Sequence, residues 1–447
     1  MKKLLLIASL TFTGVLWAES LYFDGKTDKN PVLYKAGEPM TFLISLRDKD
    51  AEGAMVKGRK LVWNRTGDDG KTEHGEALSD EPLKITTRID KPGFVRIIVN
   101  VLDHNGNPKT GRTERFESGA GADVNLLPAD PLPADFHAFW DKEVARLHKT
   151  PFDTEVVELP HRDVKVLKFS ISTFPGERPA TGYILYPRDA APASLPMMVR
   201  FTGYGFHATG IPFGVAKRGW LVVEVTRQGE APDREAEYYK NLQEHEMKNY
   251  CFRNNNDKYK NDFYGMYMRG QRAIQYAETL PVWNKKEIRV EGGSMGAAQA
   301  IAAAALNPHV TECVAEIPWM ADLAGKARFQ RLGGWAPGYT ETLRYFDTAN
   351  LATRVKCPTT IAIGLGDYVC PPSGQMILFR NLAGKRRSKF IRTGFTAAVC
   401  NRILTKPCLP AKSTERNSER RDQWRIMDCS AGGINETVQT PICSHET

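Results

Sequence analysis

The stretch from residue 286 to residue 307 constrains the fold of this chain more than any other. It reads KEIRVEGGSMGAAQAIAAAALN. Residues 288–291 alternate and include β-branched side chains, which favours a buried strand. The Ala-rich segment from Met295 onward favours a helix, and Pro308 ends it. Residues 292–296, which read GGSMG, therefore form a turn between a strand and a helix.

This G-x-S-x-G turn predicts Ser294 as a nucleophile. Such an elbow holds its serine at strained backbone angles, and glycine two residues to either side leaves room for that backbone. The hydroxyl then stands exposed at a helix N-terminus, where the helix dipole favours a developing negative charge. The alternative is a tight turn with a purely structural role.

Length and composition indicate a two-domain globular protein. A chain of 447 residues exceeds one ordinary domain. Hydrophobic residues make up 42% and charged residues 25%, as in soluble proteins. The net charge of +9 is modest for this length and is not gathered into a basic stripe, so nucleic-acid binding is not indicated.

The N-terminus has the pattern of a signal peptide. A charged start, Met1-Lys2-Lys3, precedes a short apolar run that extends to Leu16. The run is too short to span a bilayer comfortably, and Ala18 offers a cleavage site before Glu19. We predict that residues 1–18 are removed and that the mature chain is exported to the periplasm or secreted, without stable membrane association. An uncleaved anchor is the alternative.

The placement of the eight cysteines argues against a disulfide framework. Four are scattered through the central region and four crowd into the last stretch, and no C-x-x-C pair of the metal-binding type occurs. We predict no metal site. The two groups are Cys251, Cys313, Cys357 and Cys370, and Cys400, Cys408, Cys429 and Cys443.

Residues 19–125 have the pattern of β structure. Residues 39–46 and 94–101 are rich in β-branched and aromatic side chains, and turn sequences such as DDG at 68–70 separate such runs. The pattern predicts a small Ig-like sandwich. We interpret it as a module that packs beside a catalytic domain; carbohydrate binding is the alternative.

Residues 126–390 have the pattern of an α/β domain. A Pro-rich segment, 126–133, predicts a stiff linker. Asp135 is predicted to cap a helix that carries apolar residues at helical spacing, and residues 259–280 form a second helical pattern. Strands that alternate with helices imply a mostly parallel sheet with both faces covered. The predicted strands are 164–172, 180–186, 197–201, 220–225, 288–291, 313–317 and 359–364.

Together with the elbow, this pattern predicts the α/β-hydrolase architecture, in which the acid follows the serine. Asp367 lies just past the buried strand 359–364 and is the best acid; the alternative is a structural cap for the next helix. Two backbone N–H groups must form an oxyanion hole. Met295, after the nucleophile, supplies one, and Tyr204, in the glycine-containing loop 201–205, is predicted to supply the other. His207 is interpreted as a residue on the rim of the site.

Residues 133–140 read PADFHAFW, and residues 367–373 read DYVCPPS. With the elbow, these segments resemble the acetyl xylan esterases and cephalosporin C deacetylases of carbohydrate esterase family seven. The first segment is similar to the opening helix of that family, and the second to its acid and the Cys-Pro-Pro-Ser that follows. The elbow matches with Met295 in place of the common glutamine. The oxyanion loop 203–205 and the turn 226–229 also match, with Gln228 where a glycine is usual.

The resemblance spans about residues 133–390 and leaves the β module outside. It implies Ser294 as nucleophile, Asp367 as acid, and Tyr204 and Met295 as oxyanion donors. It also implies an acetylated carbohydrate as substrate and a possible homo-oligomer, and it implies no cofactor.

The triad histidine that the resemblance implies is missing. The family places it about thirty residues beyond the acid, yet the next histidine after Asp367 is His445. From about Arg392 the apolar periodicity disappears, and Ser, Thr, Arg and Cys become frequent. We predict that residues 391–447 are an aberrant, frameshifted tail that lacks packed structure and provides no catalytic base. A genuine divergent tail is the alternative.

The sequence therefore predicts an exported serine esterase that removes acetyl groups from acetylated xylan or xylo-oligosaccharides through an acetyl-enzyme. Without a histidine to take its proton, the serine is a poor nucleophile, so family membership and activity are separate questions for this chain. Two alternatives stay open. One is a serine peptidase with an accessory β domain, and the other is a non-catalytic carbohydrate-binding or scaffold protein with an unused elbow.

Overall fold

The computed structural model describes residues 20–109 and 114–391, together with the backbone of residues 425–429 and 435–436. The predicted signal peptide, residues 1–18, lies outside the described residues. So does most of the predicted tail, including His445.

The N-terminal part consists of two antiparallel sheets, which confirms the predicted extra β domain. Phe42 and Ile44 of one sheet and Ile97 and Val99 of the other belong to one buried core. This sharing of a core is why inward-facing apolar residues alternate along the strands. One sheet has the order β1-β2-β5 and the other β4-β3-β6-β7. The strands are β1 (Leu21–Thr27), β2 (Met40–Asp48), β3 (Lys60–Gly67), β4 (Glu73–Leu78), β5 (Leu83–Thr87), β6 (Gly93–Val101) and β7 (Arg115–Ala122).

The Pro-rich segment after this domain is fixed to the rest of the molecule. Arg380 donates hydrogen bonds to the carbonyl oxygens of Asn125 and Leu127. Asp130 forms ion pairs with Arg328 and Arg344. The predicted stiff linker is therefore a docked strap with bonded carbonyl groups.

The first helix, α1 (Phe136–Lys149), begins where the sequence predicts, but the predicted cap is wrong. The Asp135 side chain makes no hydrogen bond to the helix. It instead accepts hydrogen bonds from Tyr345 and Lys258. Asp135 bonds these partners because the aromatic face of α1 packs against the segment that contains Tyr345. The indole N–H of Trp140 donates to the carbonyl oxygen of Tyr345 at 3.0 Å.

The second part is built on one large sheet of eleven strands, in the order β18-β17-β16-β15-β14-β13-β11-β12-β10-β9-β8. The six strands from β16 to β12 in this order are parallel, and the remaining pairs are antiparallel. Their bounds are β8 (Thr154–Leu159), β9 (Val164–Ile171), β10 (Ala180–Pro187), β11 (Leu195–Phe201), β12 (Leu221–Val225), β13 (Trp283–Gly293), β14 (Glu312–Glu316), β15 (Thr359–Gly364), β16 (Arg386–Ile391), β17 (Arg425–Cys429) and β18 (Asn435–Glu436).

This sheet and its helices form the predicted α/β-hydrolase fold. Every residue of α5 (Met295–Leu306) is buried, and its alanines let the helix lie close to the sheet. No described helix is long and apolar enough to cross a bilayer. Besides α1, the helices are α2 (Phe213–Ala216), α3 (Ala236–Glu244), α4 (Asp262–Ala277), α5 (Met295–Leu306), α6 (Gly325–Phe329), α7 (Thr348–Leu351) and α8 (Pro372–Asn381), with 3₁₀ turns at Val124–Leu126, Tyr250–Phe252, Glu341–Tyr345 and Ala352–Arg354.

The sheet continues beyond β16. Strand β17 pairs antiparallel with β16, so that Arg386 lies opposite Cys429. This pairing is a backbone contact and does not test the prediction that the tail lacks packed structure. The remainder of the tail lies outside the described residues, and the prediction stands as made.

Candidate active site

The elbow between β13 and α5 has the strained geometry that its sequence predicts. Ser294 has φ of 55° and ψ of −116°, a backbone conformation that L-residues rarely adopt. A Cβ atom added at Gly292 would lie 2.4 Å from the carbonyl oxygen of Gly296, and one added at Gly296 would lie 2.3 Å from the carbonyl oxygen of Phe201. Both glycines are therefore required by direct backbone contact.

Neighbouring strands hold this conformation in place. The Ser294 N–H donates to the carbonyl oxygen of Glu316 at 2.9 Å, and its own carbonyl accepts from the N–H of Trp319 at 3.2 Å. The N–H of Ala298 donates to the same carbonyl at 3.1 Å as the helix begins. The strain persists because the surrounding sheet determines it.

Asp367 lies in the loop that follows β15. It is 2% exposed, and one of its carboxylate oxygens accepts from the N–H groups of Val369, at 2.8 Å, and Cys370, at 2.9 Å. Helix α8 begins only after Pro371, and no side chain caps it. The alternative, in which Asp367 caps the next helix, is therefore wrong.

Cys370 connects the acid loop to the elbow. Its amide donates to Asp367, and its sulfur lies 3.8 Å from the hydroxyl oxygen of Ser294. The two loops meet because β13 and β15 are parallel strands, with β14 between them, whose carboxyl ends share one edge of the sheet. Ser294 and Asp367 are thus brought to the same place.

The loop after β11 lies beside the elbow. The Gln299 side chain donates to the carbonyl oxygen of Thr202 at 3.1 Å. The Tyr204 ring stacks on Tyr250, with ring centroids 5.8 Å apart, and the Tyr250 hydroxyl donates to the sulfur of Met295 at 3.1 Å. The structure therefore brings Tyr204 and Met295 together, and the Tyr250 contact gives a physical reason for methionine at position 295.

Aromatic side chains form a wall around this loop that the sequence did not predict. Trp335 meets Tyr204 edge-on at 4.5 Å between ring centroids, stacks on Trp319 at 5.0 Å, and contacts Phe252 at 5.4 Å. These residues come from four separate segments. No spacing in the sequence links them, because only tertiary packing places them together.

A cavity of about 460 Å³ lies beside Cys370. Its volume is that of a small-molecule site. Polar groups on its wall, from Lys326, Tyr339 and Ser373, stand among apolar surface from Trp319 and Met320.

The turn after β12 is a buried polar scaffold. Arg227 and Glu230 form an ion pair at 2.9 Å, and both side chains are inaccessible to solvent. The second carboxylate oxygen of Glu230 accepts from the N–H of Gln228. The Gln228 side chain accepts from Arg269, so glutamine at this position gives the buried guanidinium an acceptor that a glycine side chain could not supply.

Eight of the nine histidines lie among the described residues. Within residues 20–109 and 114–391, none of them hydrogen-bonds Ser294, whose hydroxyl instead lies next to Cys370. Partial burial and the nearby Arg227 guanidinium lower the pKa of His207. His207 still keeps part of its surface exposed to solvent, in agreement with its interpretation as a rim residue.

Residues 125–332 and 338–400 match the family described as Acetyl xylan esterase (AXE1), and together they make up more than half of the chain. The chain belongs to the acetyl xylan esterase family. It is a carboxylic ester hydrolase by descent, as the resemblance of its elbow and acid loop implied. The residues between the two matched parts, 333–337, include Trp335, so that part of the aromatic wall is a feature of this chain outside the family match.

Named relatives agree with this assignment. Acetyl esterase Axe7A of Xylanibacter ruminicola is 26% identical over 377 residues, which cover 80% of this chain and 82% of that protein. The fold is similar to that of an acetyl xylan esterase from Paenibacillus sp. R4, with a TM-score of 0.53, 22% identity, and coverage of 63% of this chain and 97% of that one. Acetyl xylan esterase 1 from Thermoanaerobacterium sp. JW/SL YS485 gives a TM-score of 0.51 at 19% identity, with coverage of 63% and 98%.

Replacing Gly296 with alanine should damage the elbow before any chemistry. The new Cβ would press on the carbonyl oxygen of Phe201, which belongs to a buried strand and cannot move freely. Overpacking of this kind costs about 1–3 kcal/mol, and a shift of about 1 Å at the nucleophile costs about 100-fold in rate. Thermal unfolding of Gly296→Ala measures the first effect, and ester hydrolysis of the variant in a chain that has been given the family's histidine loop measures the second. Gly210→Ala is the control, because no atom lies within 4 Å of its added Cβ; equal losses in both variants would contradict the prediction.

Proposed function

We propose that this chain is built to remove acetyl groups from xylan-derived sugars, with Ser294 as nucleophile and Asp367 as acid. The observation that carries the proposal is the single edge at which β13 and β15 end. There the strained serine and the buried carboxylate are connected through Cys370.

The reaction follows from these positions. The Ser294 hydroxyl oxygen attacks the acetyl carbonyl carbon, and the N–H groups of Tyr204 and Met295 bind the oxyanion that forms. The sugar alcohol leaves, and water then hydrolyses the acetyl-enzyme. Both steps need a group to accept and return a proton, which in such triads is an imidazole.

We further propose that the chain as written lacks this base. No histidine among the described residues hydrogen-bonds Ser294, and the one remaining histidine, His445, belongs to the predicted frameshifted tail. Loss of the triad histidine costs about 10⁶-fold in turnover and leaves only oxyanion-hole and binding catalysis. The chain is therefore a member of an esterase family whose own rate is low.

The aromatic wall supports a sugar as the group that carries the acetyl ester. The exposed faces of Tyr204 and Phe252, which are 46% and 43% exposed, flank Trp335 at the mouth of the loop. Flat aromatic surfaces of this kind suit the apolar face of a sugar ring, while the polar groups of the adjacent cavity suit its hydroxyls.

Acetylated xylo-oligosaccharides should be hydrolysed in preference to other esters and to peptides. Release of acetate is compared with hydrolysis of a short p-nitrophenyl ester and of a peptide amide, each with the protein at high concentration. Trp335→Ala should lower the rate on the oligosaccharide by up to about tenfold, since an aromatic contact contributes about 0.5–1.5 kcal/mol, and should leave the short ester unchanged. Peptide cleavage would favour a peptidase. Sugar binding without acetate release, even after a histidine loop is supplied, would favour a non-catalytic carbohydrate-binding protein.

A further inference from the structure

The β domain touches the loop that carries Asp367, backbone against backbone. A Cβ atom added at Gly119 of β7 would lie 2.2 Å from the carbonyl oxygen of Leu365. One added at Gly366 would lie 2.7 Å from the amide nitrogen of Ser118. Glycine on both sides is what allows this approach, so the contact is built into both domains.

Arg96, on β6, reaches the same loop with its side chain. Its Nε–H donates to the carbonyl oxygen of Gly366 at 2.9 Å, and its guanidinium lies over the ring of Tyr368, 4.9 Å from the ring centroid. It also forms a buried ion pair with Glu117 of β7. The guanidinium therefore holds the residues immediately before and after Asp367.

The charges of Arg96 and Asp367 favour this arrangement. Burial lowers the pKa of Arg96, and the carboxylate of Asp367 opposes that change by stabilising the charged guanidinium. A buried guanidinium is costly unless it is paired and hydrogen-bonded. Arg96 meets that requirement through Glu117 and the acid loop itself.

We propose that Arg96 is a positioning residue for the catalytic acid, so that the β domain forms part of the catalytic apparatus. The proposal rests on the proposed role of Asp367. It gives the β domain a function that neither of the two sequence interpretations, a packing module or a carbohydrate binder, contains.

A second contact between the β domain and the hydrolase domain allows the effect of Arg96 on the acid loop to be tested separately. The carboxylate of Asp68, in the same β domain, accepts from the N–H of Leu332 at 2.9 Å. Since this contact and the docked strap also attach the β domain, removal of the Arg96 guanidinium should release the acid loop without detaching the domain.

The test compares Arg96→Gln with Arg115→Gln. Arg115 lies near the same carboxylate, Glu117, at 3.7 Å, and none of its described contacts reaches the acid loop. Hydrogen exchange of a peptide that covers residues 365–371 reports loop order in the chain as written and does not depend on turnover. Exchange should become at least about tenfold faster in Arg96→Gln, because the amides of Val369 and Cys370 lose their fixed acceptor, and should stay unchanged in Arg115→Gln.

Kinetics give the second readout. In a chain that has been given the histidine loop of its family, we expect kcat for a short acyl ester to fall about 10- to 100-fold in Arg96→Gln with KM nearly constant. Arg96→Lys keeps the charge but loses the forked donor, so its loss should be smaller. If Arg96→Gln does not fold, Gly366→Ala displaces the same loop without changing any charge and should show the same pair of effects.

Unchanged exchange in Arg96→Gln, or an equal change in Arg115→Gln, would overturn the proposal. Faster exchange with an unchanged kcat would support positioning of the loop by Arg96 and would instead contradict the proposed catalytic role of Asp367.

Discussion

Giving this chain a tail that carries the histidine loop of its family should raise its rate of ester hydrolysis by up to about 10⁶-fold. The residues to replace are those after Ile391, where β16 ends, and the new segment should place a histidine about thirty residues beyond Asp367, as the family resemblance implies. The serine, the acid loop and the oxyanion loop are already assembled at one edge of the sheet, so that only the proton acceptor has to be added.

Free imidazole offers a smaller version of the same experiment. Added to the chain as written, it should raise the rate in proportion to its concentration, while an equal concentration of a non-basic buffer should not. His445→Ala should leave the residual rate unchanged. A large loss in that variant would show that His445 is the base, and a replaced tail that brings no gain would show that the base lies elsewhere. Either result would contradict the frameshift interpretation.

Ser294→Ala should abolish the activity gained by the repaired chain, again about 10⁶-fold. The substitution removes the only side-chain hydroxyl of the elbow, residues 292–296. In the repaired chain, a serine-directed phosphonate should label Ser294 alone, and the label should be absent from Ser294→Ala.

Ser373→Ala is the matched control for that experiment. Ser373 is a buried serine at the start of α8, on the wall of the cavity beside Cys370. The control should label as the unmodified chain does. Labelling that persists in Ser294→Ala would refute the assignment of the nucleophile.

The sequence was informative wherever local chemistry dictates structure. The strand, turn and helix around Ser294 could be predicted because the glycines and the alanine run leave few other conformations. The strand before Asp367 could be predicted because a short apolar run followed by Gly-x-Gly-Asp is typical of a buried strand that ends in a loop.

Side-chain partners that depend on tertiary packing could not be predicted in this way. Asp135 stands where a helix cap is expected, yet its carboxylate accepts a hydrogen bond from the hydroxyl of Tyr345, 210 residues later in the chain. Trp335 and Arg96 carry no local signal at all, since their roles come from contacts with Tyr204 and Gly366 in distant segments.

The docked strap also sets an order of events during synthesis. The carbonyl group of Leu127 in the strap and that of Asn125 just before it accept hydrogen bonds from Arg380, which lies 253 and 255 residues later in the chain. At roughly 5–20 residues per second, a ribosome needs about 10–50 s to make the intervening segment. The β domain is thus synthesised long before Arg380, which fixes the strap, has been translated. During that time the β domain must stay soluble without this contact.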